Sequence, residues 1–481
     1  MINVKLNLSN YEYDVHSLVK SFYPEDGVKV YTPESKAEAP EEFDIEILIE
    51  DCGASISFTE EEEASHWVYT EAEGKFKDGF KRFLYRALKR ATGKELPWGN
   101  LTGIRPTKLA YGMLEEGKSE AEIVDFLKES HYVSEEKSLL SIDIAKREKE
   151  LLSGLHYEGG YSLYVGIPFC PTTCLYCSFT SYAIAAYRQV VEEYVDCLIK
   201  EMEYVSQRYA HKILDTVYIG GGTPTTLEAE QLDRLISALK EKFDFSTVQE
   251  FTVEAGRADS ITREKLEVLH KHGVTRISIN PQTFKQETLQ MIGRRHTVEQ
   301  VIEAYHMARE IGFDNINMDL ILGLPGELEE DVQCTIDKVV ELAPDSLTVH
   351  SLAIKRASRL SQWILENGVK TLHNTDETMK IAARGAKALS MEPYYLYRQK
   401  NMSGNFENVG YAVPGKFGIY NILIMEEKQT IVALGAGAST KAVYPDGRIE
   451  RCENVKDVNN YIARIDEMIE RKRSFFKDFD F

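Results

Sequence analysis

The sequence predicts an α/β protein centred on a partial (β/α)6 barrel, with a small N-terminal α/β domain before it and a C-terminal α+β domain after it. Three observations carry that expectation. Six short apolar runs, at 162–167, 216–219, 251–253, 276–279, 316–322 and 347–350, alternate with segments of helical period at 187–204, 229–242, 298–311 and 329–342. Strands that alternate with helices must pair in parallel through right-handed crossovers. The residues best suited to chemistry follow these runs, at the strand C-termini where such folds gather their active loops.

The remaining elements follow in chain order. Residues 1–95 hold strand-like runs at 2–8, 44–49 and 55–58 and a helical stretch near 77–91, which make a small α/β domain. Its acidic run Glu60, Glu61, Glu62 and Glu63 reads as a solvated loop. Residues 96–155 open on turn formers beside Trp98, Arg105 and Lys108, then take helical period over 118–152, as expected of a helical connector. The barrel is expected over 156–355. Residues 356–481 bring a helix at 376–389, β-rich segments with turns at Glu426-Glu427 and Asp446-Gly447, and a terminal helix from Val455.

Composition narrows the function classes. A chain of 481 residues exceeds one ordinary core, and 43% hydrophobic with 28% charged residues suits a soluble globular protein. No basic start precedes an apolar stretch, and no apolar run reaches the length of a membrane span, so the expected location is the cytoplasm. A net charge of −20 makes nucleic acid and anionic membranes poor partners, while leaving room for a local basic pocket. Seven cysteines are an odd number for a disulfide framework in a reducing compartment. Cys52, Cys197, Cys334 and Cys452 are scattered, whereas Cys170, Cys174 and Cys177 fall within eight residues, immediately after the first barrel strand.

That C-x3-C-x2-C spacing is the strongest signal in the chain. Three thiolates can hold three irons of a cubane and leave the fourth open to a ligand, whereas an electron-transfer cluster takes four. A structural zinc site would need a fourth ligand, and the nearest upstream histidine is His156. Four further loops lie where a barrel site belongs. Gly220-Gly221-Gly222-Thr223-Pro224 follows the second strand and can let backbone approach a ligand and offer it hydrogen bonds; alone it would be a tight turn. Glu254 ends the third strand, as a solvated carboxylate or a ligand contact. Gln282 ends the fourth and Arg294 lies in the next loop. Asp319 lies inside an apolar strand, where a charge requires a partner or a function.

Cys-x3-Cys-x-aromatic-Cys resembles the motif of the radical S-adenosylmethionine (SAM) superfamily, with Tyr176 as the aromatic beside the cluster. The resemblance implies a [4Fe-4S] cluster on Cys170, Cys174 and Cys177 whose open iron chelates SAM. Tyr164-Val-Gly-Ile-Pro-Phe-Cys170, with the glycine loop and the segments around Glu254, Gln282, Arg294 and Asp319, narrows it to the oxygen-independent coproporphyrinogen III oxidase family, over about 161–353. The similarity continues through 394–398, 405–415 and 434–440, and 96–109 resembles the family's longer, Gram-positive type. By motif, Tyr164 is expected beside SAM and Gly221, Gly222 and Thr223 at its methionine part. Glu254, Gln282, Arg294 and Asp319 are expected to hold its polar groups, and Ile321 and Ala353 to line its adenine pocket. Two positions depart from the well-studied oxidases, Gly166 where they have histidine and Phe179 where they have a fourth cysteine.

The function implied is oxidative decarboxylation of coproporphyrinogen III to protoporphyrinogen IX in heme biosynthesis, with a low-potential donor such as flavodoxin or ferredoxin. A tetra-anionic tetrapyrrole needs cationic anchors, for which Arg295, Arg398 and Lys400 stand as candidates. Three alternatives stay open: a heme chaperone of the same family, a radical enzyme for another tetrapyrrole, and a binding protein with a structural cluster. The chaperones carry an axial histidine in a segment where this chain has Tyr420.

Overall fold

Alternating apolar residues bury one face of an N-terminal sheet of five strands: β1 (Ile2–Leu6), β2 (Val28–Tyr31), β3 (Ile45–Glu50), β4 (Gly53–Phe58) and β5 (Ser65–Val68). The computed structural model describes residues 1–36, 38–59, 64–71, 74–103, 105–157, 159–355, 358–368, 372–399 and 406–477. The acidic run at 60–63 lies outside them. The sheet order is β2-β1-β3-β4-β5, with β2, β1 and β3 parallel and β3, β4 and β5 antiparallel. Helices α1 (Glu12–Phe22) and α2 (Phe76–Thr92) fill a core with Val4, Leu6, Leu18, Phe22, Ile47, Ile56, Phe80 and Leu84. β2, β5 and α1 were not anticipated.

Helices α3 (Thr107–Glu115), α4 (Glu120–His131) and α5 (Glu135–Leu152) follow. The helical period at 118–152 breaks because α4 starts on a Ser119–Glu122 capping box and ends at Tyr132, whose φ is 58°. Compaction groups Met1–Arg147 with Leu396–Glu407, and Glu148–Tyr395 with Asn408–Phe481. These boundaries differ from the four-segment division by sequence. Buried polar bonds account for the first grouping. Trp98 Nε1 donates to Glu407 Oε2 at 2.7 Å and Lys137 Nζ to Glu407 Oε1 at 2.6 Å, so Trp98 and Lys137 share one polar centre with Glu407.

In the second unit the six barrel strands appear in sequence order and all parallel: β6 (Gly160–Ile167), β9 (Ile213–Gly221), β10 (Glu250–Glu254), β11 (Arg276–Ser278), β12 (Ile316–Leu322) and β13 (Ser346–Ser351). The short strands β7 (Phe169–Cys170) and β8 (Tyr182–Ala183) form a separate parallel pair just after β6 in the chain. The barrel is open. β15 (Asn408–Ala412) pairs antiparallel with β13, with β14 (Glu392–Tyr397) beyond it; β16 (Thr430–Leu434) lies parallel to β6, followed by β17 (Ser439–Val443) and β18 (Ile449–Glu453). The C-terminal strands therefore extend the barrel sheet at both edges.

Helices α6 (Val191–Arg208), α7 (Ala229–Lys242), α8 (Arg263–Lys271), α9 (Gln286–Met291), α10 (Val298–Ile311) and α11 (Glu329–Leu342) make the crossovers. α7 buries Leu232, Leu235, Ile236 and Leu239, the one-faced stripe that its period predicts. α12 (Leu360–Asn367) and α13 (Asp376–Ala388) follow the last barrel strand. α14 (Ile419–Glu426) corrects the β-rich expectation. Its apolar, β-branched sequence suits a strand, but the buried Glu250 carboxylate accepts the Ile419 amide at 2.5 Å and the Tyr420 amide at 3.4 Å and so caps a helix. α15 (Val458–Ala463) and α16 (Ile465–Lys477) close the chain. Lys472 on α16 pairs with Glu201 on α6 at 2.7 Å, both side chains fully buried. Tyr461, Asn454 and the Gly435 amide also donate to Glu201. Among the described residues, no helix is long and apolar enough to cross a membrane.

Candidate active site at the mouth of the barrel

The cysteine loop leaves β6 and is tied to the ends of neighbouring strands. The Gly222 amide donates to Ile167 O at 2.8 Å and the Thr223 amide to Phe169 O at 2.7 Å, while Thr223 Oγ1 donates to Cys170 Sγ at 3.4 Å. Beyond Cys170, Thr172 Oγ1 donates to Gly293 O at 2.8 Å, and the Leu175 amide to Ile292 O at 2.9 Å. Arg359 donates to Thr173 O. Leu175 and Tyr176 pack against an apolar cluster that includes Leu289, Ile292, Ile321 and Leu352. Cys174 is buried, and Cys170 and Cys177 are half-buried. Burial pushes the thiols of Cys170 and Cys177 above their ordinary range.

The glycine loop works differently from the expectation that its amides would face a ligand. A Cβ on Gly222 would lie 2.5 Å from Phe169 O, so glycine is required there for close approach to the cysteine loop. The Gly222 and Thr223 amides are occupied by that loop, and the Gly221 amide bonds to the Glu254 carboxylate. Gly221 itself has φ +111°, with the Tyr164 hydroxyl 3.2 Å from where a Cβ would stand.

Glu254 receives a hydrogen bond from the Tyr218 hydroxyl. Burial and the charge of Asp319 push its carboxyl up to about 7, against the bonds from Tyr218 and Gly221. Burial also disfavours charge on Asp319, but His350, Asn317 and Thr348 outweigh it and hold that carboxyl below its usual range. Asn317 Nδ2 donates to Asp319 Oδ1 at 2.7 Å. The buried acid thus has the partners that its apolar strand demanded.

Gln282 is the most constrained residue of the group. Its φ is 68°, in the left-handed region that a non-glycine residue rarely adopts. Its amide donates to Asp319 O at 2.9 Å and its carbonyl accepts the Ile321 amide at 3.0 Å, which latch it to β12. Its side-chain Oε1 is buried without a hydrogen-bond partner. Strain and an unmet acceptor together mark a position shaped for a ligand. Arg294 is placed otherwise: its guanidinium is buried, donates to Asn280 O at 2.5 Å and bonds Tyr176, so it braces the cysteine loop. Ile321 is buried in β12, and Ala353 follows β13.

The tentative substrate residues separate. Arg295 is exposed and lines a cleft of about 540 Å³ with Thr172, Thr173, Gln290, Arg294 and Arg359. Arg398 belongs to the first unit, where it is buried, donates to Leu101 O at 2.5 Å and lies 5.9 Å from the Trp98 ring centroid. Burial lowers its guanidinium to about 10. It is an internal tie, and an exposed anchor would need a free fork. Lys400 lies outside the described residues. Tyr420 is also buried, stacked on Tyr218 at 4.4 Å and near Tyr164 at 6.4 Å between ring centroids, and burial raises its phenol well above the usual range. Sequence reasoning missed Tyr218 and Arg257; Arg257 and Asp259, two apart just beyond Glu254, were the available signal. Cys170, Cys174 and Cys177 are the residues that could hold a cluster. Among the described residues no group of three or more His, Cys, Asp or Glu could hold a single metal ion.

The radical SAM superfamily pattern matches residues 164–339. The chain is 42% identical over 413 residues to the oxygen-independent coproporphyrinogen-III oxidase-like protein HemZ of Bacillus subtilis, covering 83% of this chain and 82% of that protein. It is 33% identical to the heme chaperone HemW of Lactococcus lactis, covering 65% and 78%. Among solved structures, the radical SAM enzyme coproporphyrinogen III oxidase (HemN) of Escherichia coli superposes with a TM-score of 0.53 at 24% identity, over 66% of this chain and 72% of that one, which is a likeness of fold.

Proposed function

The chain belongs to the radical SAM superfamily, in its oxygen-independent coproporphyrinogen III oxidase family of the HemZ type, and on that premise we propose that it converts coproporphyrinogen III to protoporphyrinogen IX. Its cofactors are a [4Fe-4S] cluster and SAM, and its function is tetrapyrrole-related. The finer reading of the reaction rests on the cysteine loop and the strained, unsatisfied Gln282, both at C-terminal ends of barrel strands; cytoplasmic location and a flavodoxin- or ferredoxin-like donor are part of the same proposal.

The residues fit both groups. Three thiols on one loop, each partly or wholly shielded from water, supply a three-cysteine ligand set. Gln282 Oε1 offers an acceptor and Gly221 a recess that a Cβ would fill. When bound and reduced, the cluster with SAM supplies a 5′-deoxyadenosyl radical. Cys170, Cys174 and Cys177 hold the cluster in this reading, and Tyr176 packs beside it. Tyr164, Gly221, Gly222 and Thr223 shape the methionine end, with the glycines acting through close approach. Glu254, Gln282 and Asp319 orient polar groups, Ile321 and Ala353 face adenine, and Arg294 holds the loop in register. Arg295 anchors a propionate. Each of two propionates would lose one hydrogen atom from its β carbon to that radical, giving 5′-deoxyadenosine, then carbon dioxide and one electron to an external acceptor, leaving a vinyl group, while the other two propionates stay intact.

Anaerobic incubation of reconstituted protein with coproporphyrinogen III, SAM and a reductant, read by mass spectrometry, tests this. The divinyl product is expected, and Arg295→Ala is expected to raise KM several-fold with a smaller change in kcat. One tightly bound heme per chain and no decarboxylation would replace the oxidase with the chaperone reading. Tyr420 argues against that outcome: a buried, stacked phenol cannot readily lose its proton to bind ferric heme, so Tyr420→Phe should leave any heme uptake unchanged.

Two further outcomes follow from the site. Gln282→Gly should relieve the left-handed strain and raise the melting temperature of the apoprotein slightly, while weakening SAM binding about tenfold by titration. Folding raises the proton affinity of Glu254, so its contribution to stability is full below the ordinary carboxyl range and is lost as pH rises through about 7. Melting of the apoprotein between pH 5 and 8 should therefore flatten in Glu254→Gln, leaving the similar slope of Glu327, whose carboxyl burial also raises to about 7.

A further inference from the structure

The three loop sulfurs are not equivalently surrounded. Cys170 Sγ takes a neutral hydroxyl from Thr223, and Cys177 is bonded by the Ser181 side chain and the Phe179 amide. Among the described residues Cys174 alone has a hydrogen-bonded cation, Lys355 acting on Cys177 through its charge without a hydrogen bond: Arg257 Nη1 lies 3.7 Å from the Cys174 sulfur, and the same nitrogen donates to Thr172 O at 2.9 Å. Arg257 is 3% exposed, so water does not screen this contact. The guanidinium is fixed by a two-pronged pair, Nε to Asp259 Oδ1 at 3.0 Å and Nη2 to Asp259 Oδ2 at 2.7 Å. His296, fully buried, places Nδ1 3.7 Å from Asp259 Oδ1. The Ser260 hydroxyl donates to Arg257 O and accepts from Thr225 Oγ1 at 2.7 Å, which anchors the same turn to the segment just after the glycine loop. Arginine is suited to this task, since its fork can hold a carboxylate with one edge and present the remaining nitrogen elsewhere.

We propose that Arg257 sets the reduction potential of the cluster held by this loop, through its charge-assisted hydrogen bond to Cys174, with Asp259 as the residue that aims it. The inference rests on the cluster reading above and extends it. Reduction adds one electron, taken from a low-potential one-electron donor, and so adds one negative charge to the cluster and its thiolates. A cation fixed at one sulfur stabilises the reduced form more than the oxidised form and raises the potential. Asp259 offsets part of that effect, because its carboxylate sits behind the guanidinium.

The two residues therefore have opposite expected effects. Redox titration of the reconstituted protein with dithionite, followed by electron paramagnetic resonance, should show Arg257→Gln harder to reduce by at least tenfold in the equilibrium constant, or 59 mV for a one-electron couple. Asp259→Asn should be easier to reduce, since the guanidinium keeps its charge and loses its counter-ion. Iron content and apoprotein melting temperature are measured on the same samples, so that loss of fold or of cluster is seen separately. If Arg257→Gln takes up no cluster, the sign of the Asp259→Asn shift decides. An unchanged potential in either variant with full iron content overturns the role of Arg257 and leaves the cluster reading standing. Wild-type protein that assembles no cluster overturns both.

Discussion

Cys174→Ala protein, reconstituted with iron and sulfide, is expected to lose the cluster absorbance and to form no 5′-deoxyadenosine above background. Cys174 is the buried member of the triplet, and its neighbours Thr172, Thr173 and Leu175 are bonded to Gly293, Arg359 and Ile292. A missing sulfur cannot be replaced by a loop held so firmly. Cys170→Ala and Cys177→Ala should behave alike. Substituting Cys52 or Cys334, both exposed, or the buried Cys197 and Cys452, should leave iron content and SAM cleavage near wild type. Retained 5′-deoxyadenosine formation in Cys174→Ala would remove the basis for placing the cluster on this loop.

The second large effect is on stability. Lys472→Met should destabilise the protein by about 3–5 kcal/mol in urea denaturation, because it leaves the Glu201 carboxylate charged and without its cation in a fully buried site. Tyr461, Asn454 and the Gly435 amide would still donate to Glu201, but none carries a charge. Glu201→Gln combined with Lys472→Met should recover much of the loss, since no buried charge then remains. A double variant as unstable as the single one would assign the cost to packing.

The barrel was legible because its signals are local and periodic. The residues 316–322 form β12, and α7, α10 and α11 keep the bounds their apolar stripes indicated. The site was partly legible, since strand-end position singled out Glu254, Gln282 and Asp319. What escaped depends on partners far away in sequence. Nothing near Ile419 announces a helix whose cap is Glu250, and a run rich in isoleucine reads as a strand without it. The glycine loop was found, but not that its amides are already bonded to Ile167, Phe169 and Glu254. Arg398 looked available because its length and charge suit a surface; only the structure reveals Leu101 and Trp98 against it.

The parallel pairing of β16 with β6 has a consequence for how the chain is made. Tyr161 pairs with Thr430 and Val165 with Leu434, so the strand that leads into the cysteine loop has one edge unsatisfied until β16, far along the chain, has been synthesised. A nascent barrel therefore emerges from the ribosome with a row of unpaired backbone N–H and C=O groups along β6, which invites pairing with other chains. Such long-range parallel contacts also form slowly.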